Sequence, residues 1–106
     1  MDGQLVYITA SSGEEARKIA RALVEERLAA CANLLGKINS IYWWNDAVQE
    51  DKEVALIVKS RAELVPRIVE RVKALHSYDC PCVVAMPIVD GNRAFVDWIS
   101  AETVSA

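Results

Sequence analysis

The chain has 106 residues, 53% of them hydrophobic, with 15 acidic against 12 basic side chains and a net charge of −3. That length fits one domain, residues 1–106, with ample material for a core, and the mild acidity leaves no electrostatic footprint for nucleic acid. No apolar run approaches the ~18 residues of a membrane span, MDGQLVYITA lacks a secretory signal, and the three cysteines leave one unpaired in any disulfide framework; a reduced, cytoplasmic protein with no membrane or nucleic-acid partner is the expectation.

Gln4 to Ala10 reads as a first strand carrying Leu5, Val6, Tyr7 and Ile8. Ser12 and Glu15 then make a capping-box pattern. Ala16, Ile19, Ala20, Leu23 and Val24 recur at the spacing of an amphipathic helix that ends near residues 28–30. On that helix Arg17, Lys18 and Arg21 stand beside Glu14, Glu15, Glu25 and Glu26, which makes a solvated face rather than a phosphate-binding stripe. A second strand is expected from about Ala32 to Trp44, with Gly36 as a bulge or bend. Asn45-Asp46 tolerates the positive φ of a tight hairpin turn, and a return strand runs from about Val48 to Ser60. Ser60 and Glu63 form a second capping box ahead of Leu64, Val65, Ile68, Val69, Val72 and Leu75, the second helix; Pro66 moves its regular start towards Val65. Cys82 to Val89 reads as a fourth strand in which Pro87 marks an edge or bend. Gly91-Asn92 turns the chain into a short last helix with Phe95, Val96, Trp98 and Ile99.

The order βαββαβ with a short C-terminal segment is the split-βαβ, ferredoxin-like arrangement of the α+β class. Both helices cover one face of an antiparallel sheet and leave the other bare. Neighbouring side chains in a strand point to opposite faces, so only one of Trp43 and Trp44 can enter the domain's own core. The return strand has the same character, with Val54, Leu56 and Val58 on one face and Ala55 and Ile57 on the other. A sheet apolar on both faces needs two layers of cover, and a neighbouring subunit is the economical second layer. Asn33 to Asn45, fully extended, spans roughly 40 Å, against a radius of gyration of about 13 Å for a domain of this size. The hairpin tip is therefore expected to overhang and reach a neighbour. Trp43, Trp44 and Trp98 are assigned to interface and core rather than to a ligand cage.

Arg27-Leu28-Ala29-Ala30-Cys31-Ala32-Asn33, Ser40-Ile41-Tyr42-Trp43-Trp44, Asp51, Glu53 and Lys59 resemble the CutA divalent-cation tolerance proteins. The likeness continues through His76, Tyr78, Pro81, Pro87-Ile88, Gly91-Asn92 and Trp98. It implies a ferredoxin-like homotrimer, a link to tolerance of copper and other divalent metals, and copper binding. Four positions depart from the family pattern: Asp46 replaces a glycine, Ser77 a proline, Cys82 a frequent glutamate, and Ile8 a cysteine that some members use for metal.

The segment His76-Ser77-Tyr78-Asp79-Cys80-Pro81-Cys82 supplies an imidazole, a carboxylate and two thiols. Copper(I) prefers thiolate, whereas imidazole suits copper(II) and zinc. Cys80 and Cys82 point to the same side of an extended chain, and their spacing is not that of a closed zinc site. His76, Cys80 and Cys82 are thus the candidate copper ligands, with Asp79 as an accessory oxygen. Each has a structural alternative: His76 as a helix C-terminal cap, and the cysteines, Cys31 included, as small core residues. Two other functions compete with a metal-responsive trimer. One is a small-molecule-binding regulatory trimer of the PII type, for which the sequence offers no Gly-rich phosphate loop. The other is an enzyme using Cys80 or Cys82 as nucleophile and His76 as base, for which no third orienting residue is evident.

Overall fold

The computed structural model describes residues 2–105. Its strands are β1 (Gly3–Ala10), β2 (Cys31–Trp44), β3 (Ala47–Arg61) and β4 (Val83–Pro87), and its helices are α1 (Gly13–Glu25), α2 (Val65–Leu75) and α3 (Arg93–Ala101). The strands form one antiparallel sheet in the order β2-β3-β1-β4, as the ferredoxin-like reading requires. Val6 pairs with Val58 and Ile8 with Leu56, and all four are fully buried beneath α1 and α2. Ile19 and Leu23 of α1 and Ile68 and Val72 of α2 complete that core without exposure. Each such side chain contributes about 1.5–3 kcal/mol through burial, so this layer holds the helices in place.

Local chemistry explains the element boundaries. The Ser12 hydroxyl accepts from the Glu15 amide at 3.1 Å. The reciprocal arm of the capping box is displaced, because the Glu15 carboxylate takes the Ser11 amide at 2.9 Å instead. α1 ends at Glu25, earlier than expected, and Arg27 turns the chain with φ 57°. The second capping box does not form. Ser60 is wholly buried and donates its hydroxyl to the Leu28 carbonyl at 2.6 Å, tying β3 to the turn that follows α1. A short 3-10 turn, Ala62–Leu64, bridges to α2, whose first turn accommodates Pro66. Gly36 sits at a register shift in the β2–β3 ladder with φ +105°, a conformation only glycine adopts at no steric cost. Asn45 and Asp46 both have positive φ, 52° and 59°, the values a two-residue hairpin turn demands.

Pairing of β3 with β1 stops at Val54, whereas pairing with β2 continues to Ala47. The distal part of the hairpin is thus a two-stranded ribbon, and it stretches the molecule to 44 × 25 × 22 Å. Neither tryptophan enters the core: both stand on the overhang, Trp43 74% and Trp44 56% exposed. The register divides them cleanly. Ile41, Trp43 and Val48 share the face that carries helices at the other end, and Tyr42 and Trp44 share the opposite face.

Candidate functional site: a cavity between the hairpin and the loop after α2

Residues 76–82 connect α2 to β4 and are anchored at one end by His76. Its amide caps α2 by donating to the Val72 carbonyl at 2.9 Å. Its ring is completely buried and bonded at both nitrogens. Nδ1 accepts from the Tyr78 amide at 3.0 Å, so the ring hydrogen is on Nε2, which donates to the Thr9 carbonyl at 2.7 Å. Glu15 Oε1 approaches Nδ1 at 3.5 Å, and Oε2 takes the Ser77 amide at 3.0 Å. The start of α1, the end of β1 and the loop are thereby knitted through two side chains.

Burial alone would raise the Glu15 carboxyl, but bonds from the Ser11 amide, Ser77 and the Ser11 hydroxyl outweigh it and hold the pKa below the ordinary value. A depressed folded-state pKa contributes stability above the unfolded value, near ~4.3, which is lost as pH falls through the folded value. Glu15→Gln is therefore expected to unfold more readily than the parent at neutral pH, with the gap closing as the solution is acidified below that range. Urea midpoints measured across this range check it; a gap that widens with acid would contradict the assignment.

Beside this anchor the outer sheet face opens into a cavity of about 550 Å³. β1 contributes Tyr7 and Thr9, β2 contributes Ser40, Tyr42 and Trp44, and β3 contributes Glu53. The loop closes the far side with Tyr78, Asp79, Cys80 and Cys82. Tyr78 packs against the His76 ring at a tilt of 45°, with centroids 4.5 Å apart, and donates its hydroxyl to Glu53 Oε2 at 3.1 Å. Tyr42 donates to Asp51 Oδ2. Burial and the Glu53 charge and hydrogen bond push the Tyr78 phenol up to about 12. The bond to Asp51 raises that of Tyr42. Burial and then Glu53 raise the Cys82 thiol, against a smaller opposing effect from the Thr9 side chain. Burial thus acts first on Tyr78 and Cys82, and the Glu53 carboxylate reinforces it.

The structure brings two of the three sequence-predicted ligands to this cavity. Cys80 is exposed and Cys82 half-buried, and both line the wall together with Asp79. His76 lies behind that wall with neither ring nitrogen free, so the structural alternative describes it as it stands. Among the described residues, no three His, Cys, Asp or Glu side chains converge closely enough to hold a metal ion. Cys31 is half-buried at the start of β2, away from the other two thiols' cavity. Sequence reasoning assigned Trp44 to packing and left Tyr42, Asp51 and Glu53 without a role. Strand alternation carried the missing signal, since Ser40, Tyr42, Trp44, Asp51 and Glu53 all fall on one face of the hairpin.

Residues 4–102 match the family model for the CutA1 divalent ion tolerance protein. The chain is 51% identical over 100 residues to the divalent-cation tolerance protein CutA of Thermus thermophilus, covering 94% of this chain and 97% of that one. The solved structure of the divalent cation tolerance protein (Cut A1) from that organism superposes with a TM-score of 0.94 at 50% identity, over 96% of this chain and 99% of that one. The CutA1 structure from Oryza sativa gives a TM-score of 0.96 at 39% identity, over 100% of this chain and 97% of that one.

Proposed function

The chain belongs to the CutA1 divalent ion tolerance family, and from that premise we propose that it is a non-enzymatic, cytoplasmic homotrimer that supports tolerance of divalent metal ions and binds copper. The observation that carries the copper reading is the placement of Cys80 and Cys82 on one wall of the cavity, at its solvent edge. Two thiolates two residues apart in the loop before β4 are a soft donor pair suited to copper(I), and Asp79 and Glu53 add negative charge beside them. His76 is left out of the ligand set because both of its nitrogens are engaged.

Two observations favour this over a cysteine-dependent enzyme. The Cys82 thiol is raised rather than lowered, the opposite of an activated nucleophile. The only histidine, His76, has no lone pair to offer as a base. The trimer is supported by the overhanging ribbon and by its exposed Ile41, Trp43 and Val48. A reducing cytoplasm suits thiols that are all free.

Copper(I) titration of the reduced protein against a competing chelator tests the reading. The Cys80→Ser/Cys82→Ser variant is expected to lose at least about tenfold in affinity, equivalent to ~1.4 kcal/mol. Affinity in the parent should rise with pH, because thiols must deprotonate to bind and Cys82 resists doing so. Equal affinity in parent and double variant would remove copper from these thiols.

A further inference from the structure

Val89 to Asn92 join β4 to α3 at the end of the sheet opposite the overhanging ribbon. β4 leaves β1 at the pair Gln4–Pro87, whereas the ribbon begins beyond the pair Ala10–Val54. At this end α3 already covers the outer sheet face. Lys59 pairs with Leu5, out of phase with the buried Val58 and Val6, and its amine lies 5.3 Å from the centre of the Phe95 ring. Val96 and Ile99 of the same helix are buried. The loop beside them is open: Val89 is 87% exposed, and Asp90, Gly91 and Asn92 are exposed as well.

Backbone bonds fix the loop at both ends, from the Ile88 amide to the Gly3 carbonyl at 2.9 Å and from the Val96 amide to the Asn92 carbonyl at 3.0 Å. For residues 89–91 the one hydrogen bond among the described residues is internal. The Gly91 amide donates to Oδ1 of Asp90, its own neighbour, at 2.8 Å. The carboxyl carbon is one C–O bond, about 1.2 Å, beyond that oxygen. A nucleophile and an electrophile are thus held near the ~3–3.5 Å separation from which tethered groups react. Glycine has no side chain to obstruct the approach, and its backbone freedom lets the peptide plane swing onto the carboxyl.

We propose that Asp90-Gly91 is a self-modification site, at which the Gly91 nitrogen closes on the Asp90 carboxyl carbon to give a cyclic imide and, from it, isoaspartate. In the first step a bond forms between the Gly91 nitrogen and Asp90 Cγ. One carboxyl oxygen leaves as water, taking the amide proton and one proton from solvent. Water then adds to one of the two imide carbonyl carbons. Opening at Cγ restores aspartate, whereas opening at the main-chain carbon leaves Gly91 attached through the side chain of residue 90. Nothing is oxidised or reduced. The product lengthens the main chain by a methylene just ahead of Asn92, whose side-chain oxygen caps α3 by accepting from the Ala94 amide at 3.1 Å. It also presents a free α-carboxylate on an exposed loop, the group that carboxyl-methylating repair enzymes take as substrate. The site shares no residue with the copper reading.

The full chain, kept warm at neutral pH and sampled over weeks, tests this by peptide mapping with electron-transfer fragmentation, beside an isoaspartyl methyl-acceptor assay. Isoaspartate is expected to accumulate at residue 90 at least as fast in the native protein as in the same chain held unfolded in urea. Gly91→Ala is expected to slow it at least about tenfold. The added Cβ meets Val96 Cγ2 at 3.7 Å, an ordinary contact, so this variant should keep the fold. If it does not, Asp90→Glu, whose longer side chain must close a less favoured ring, is expected to show the same loss. Asp90→Asn is expected to pass through the same imide, releasing ammonia and yielding both acid isomers. Native protein without isoaspartate at residue 90, isomerisation confined to the urea-unfolded chain, an unchanged rate in folded Gly91→Ala or Asp90→Glu, or an Asp90→Asn variant that keeps its amide would overturn the proposal.

Discussion

Replacing His76 with alanine is expected to destabilise the protein by about 2–4 kcal/mol. The ring is fully buried and makes two hydrogen bonds, and its removal leaves the Thr9 carbonyl and the Tyr78 amide without partners. It also leaves a void beside Tyr78, whose ring packs against it at a tilt. Urea unfolding at one fixed protomer concentration is the measurement, because the apparent stability of an oligomer depends on concentration. The same variant separates the two roles the sequence offered for this residue. As an anchor, it should cost stability and loosen the loop, while copper(I) affinity of the refolded protein stays within a few-fold of the parent. A variant as stable as the parent that had lost copper binding would make His76 a ligand.

That double reading of His76 shows where sequence reasoning reaches its limit. Periodicity placed every strand and helix within a few residues, because apolar residues at spacing two or near four are a direct imprint of which face is buried. Gly36 and the Asn45-Asp46 pair were legible for a related reason: backbone conformation restricts residue type at those positions. Ser60 was misread. Its spacing to Glu63 imitates a capping box, but its hydroxyl is claimed by Leu28, 32 residues away in sequence, and no local pattern records such a partner. The site suffered in the same way. Clustering along the chain brought out the segment 76–82, whereas the opposite wall of the cavity comes from β1, β2 and β3. Tyr42 and Glu53 become neighbours of Tyr78 only once the sheet has its order. The tryptophan pair was half legible, since alternation separated the two rings correctly but did not reveal that pairing with β1 ends before either is reached.

Trp43→Ala is expected to break or severely weaken the proposed trimer, with a loss of about 2–4 kcal/mol of association free energy per protomer, as for a large aromatic at the centre of an interface. Within the isolated chain the ring is 74% exposed and Ile41 beside it 68% exposed, so truncation removes little that the fold itself depends on. A large effect must therefore come from a partner. The contrast with Trp44 sharpens the test. That ring points to the other face of the ribbon, continuous with the bare sheet face for which a neighbouring subunit is inferred, so Trp44→Ala reads the sheet-face part of the interface separately from the ribbon part. Sedimentation equilibrium at micromolar concentration reads all three proteins directly. The parent is expected at three times the protomer mass, and Trp43→Ala and Trp44→Ala each at lower mass or dissociating on dilution. Contiguous apolar side chains on an unsupported two-stranded ribbon are rarely left in water, and here Val48 is paired directly across from Trp43 to widen the same patch. A parent protein that sediments as a folded monomer would mean that the ribbon tolerates this exposure unaided, and the second layer of cover inferred for the sheet would have no occupant.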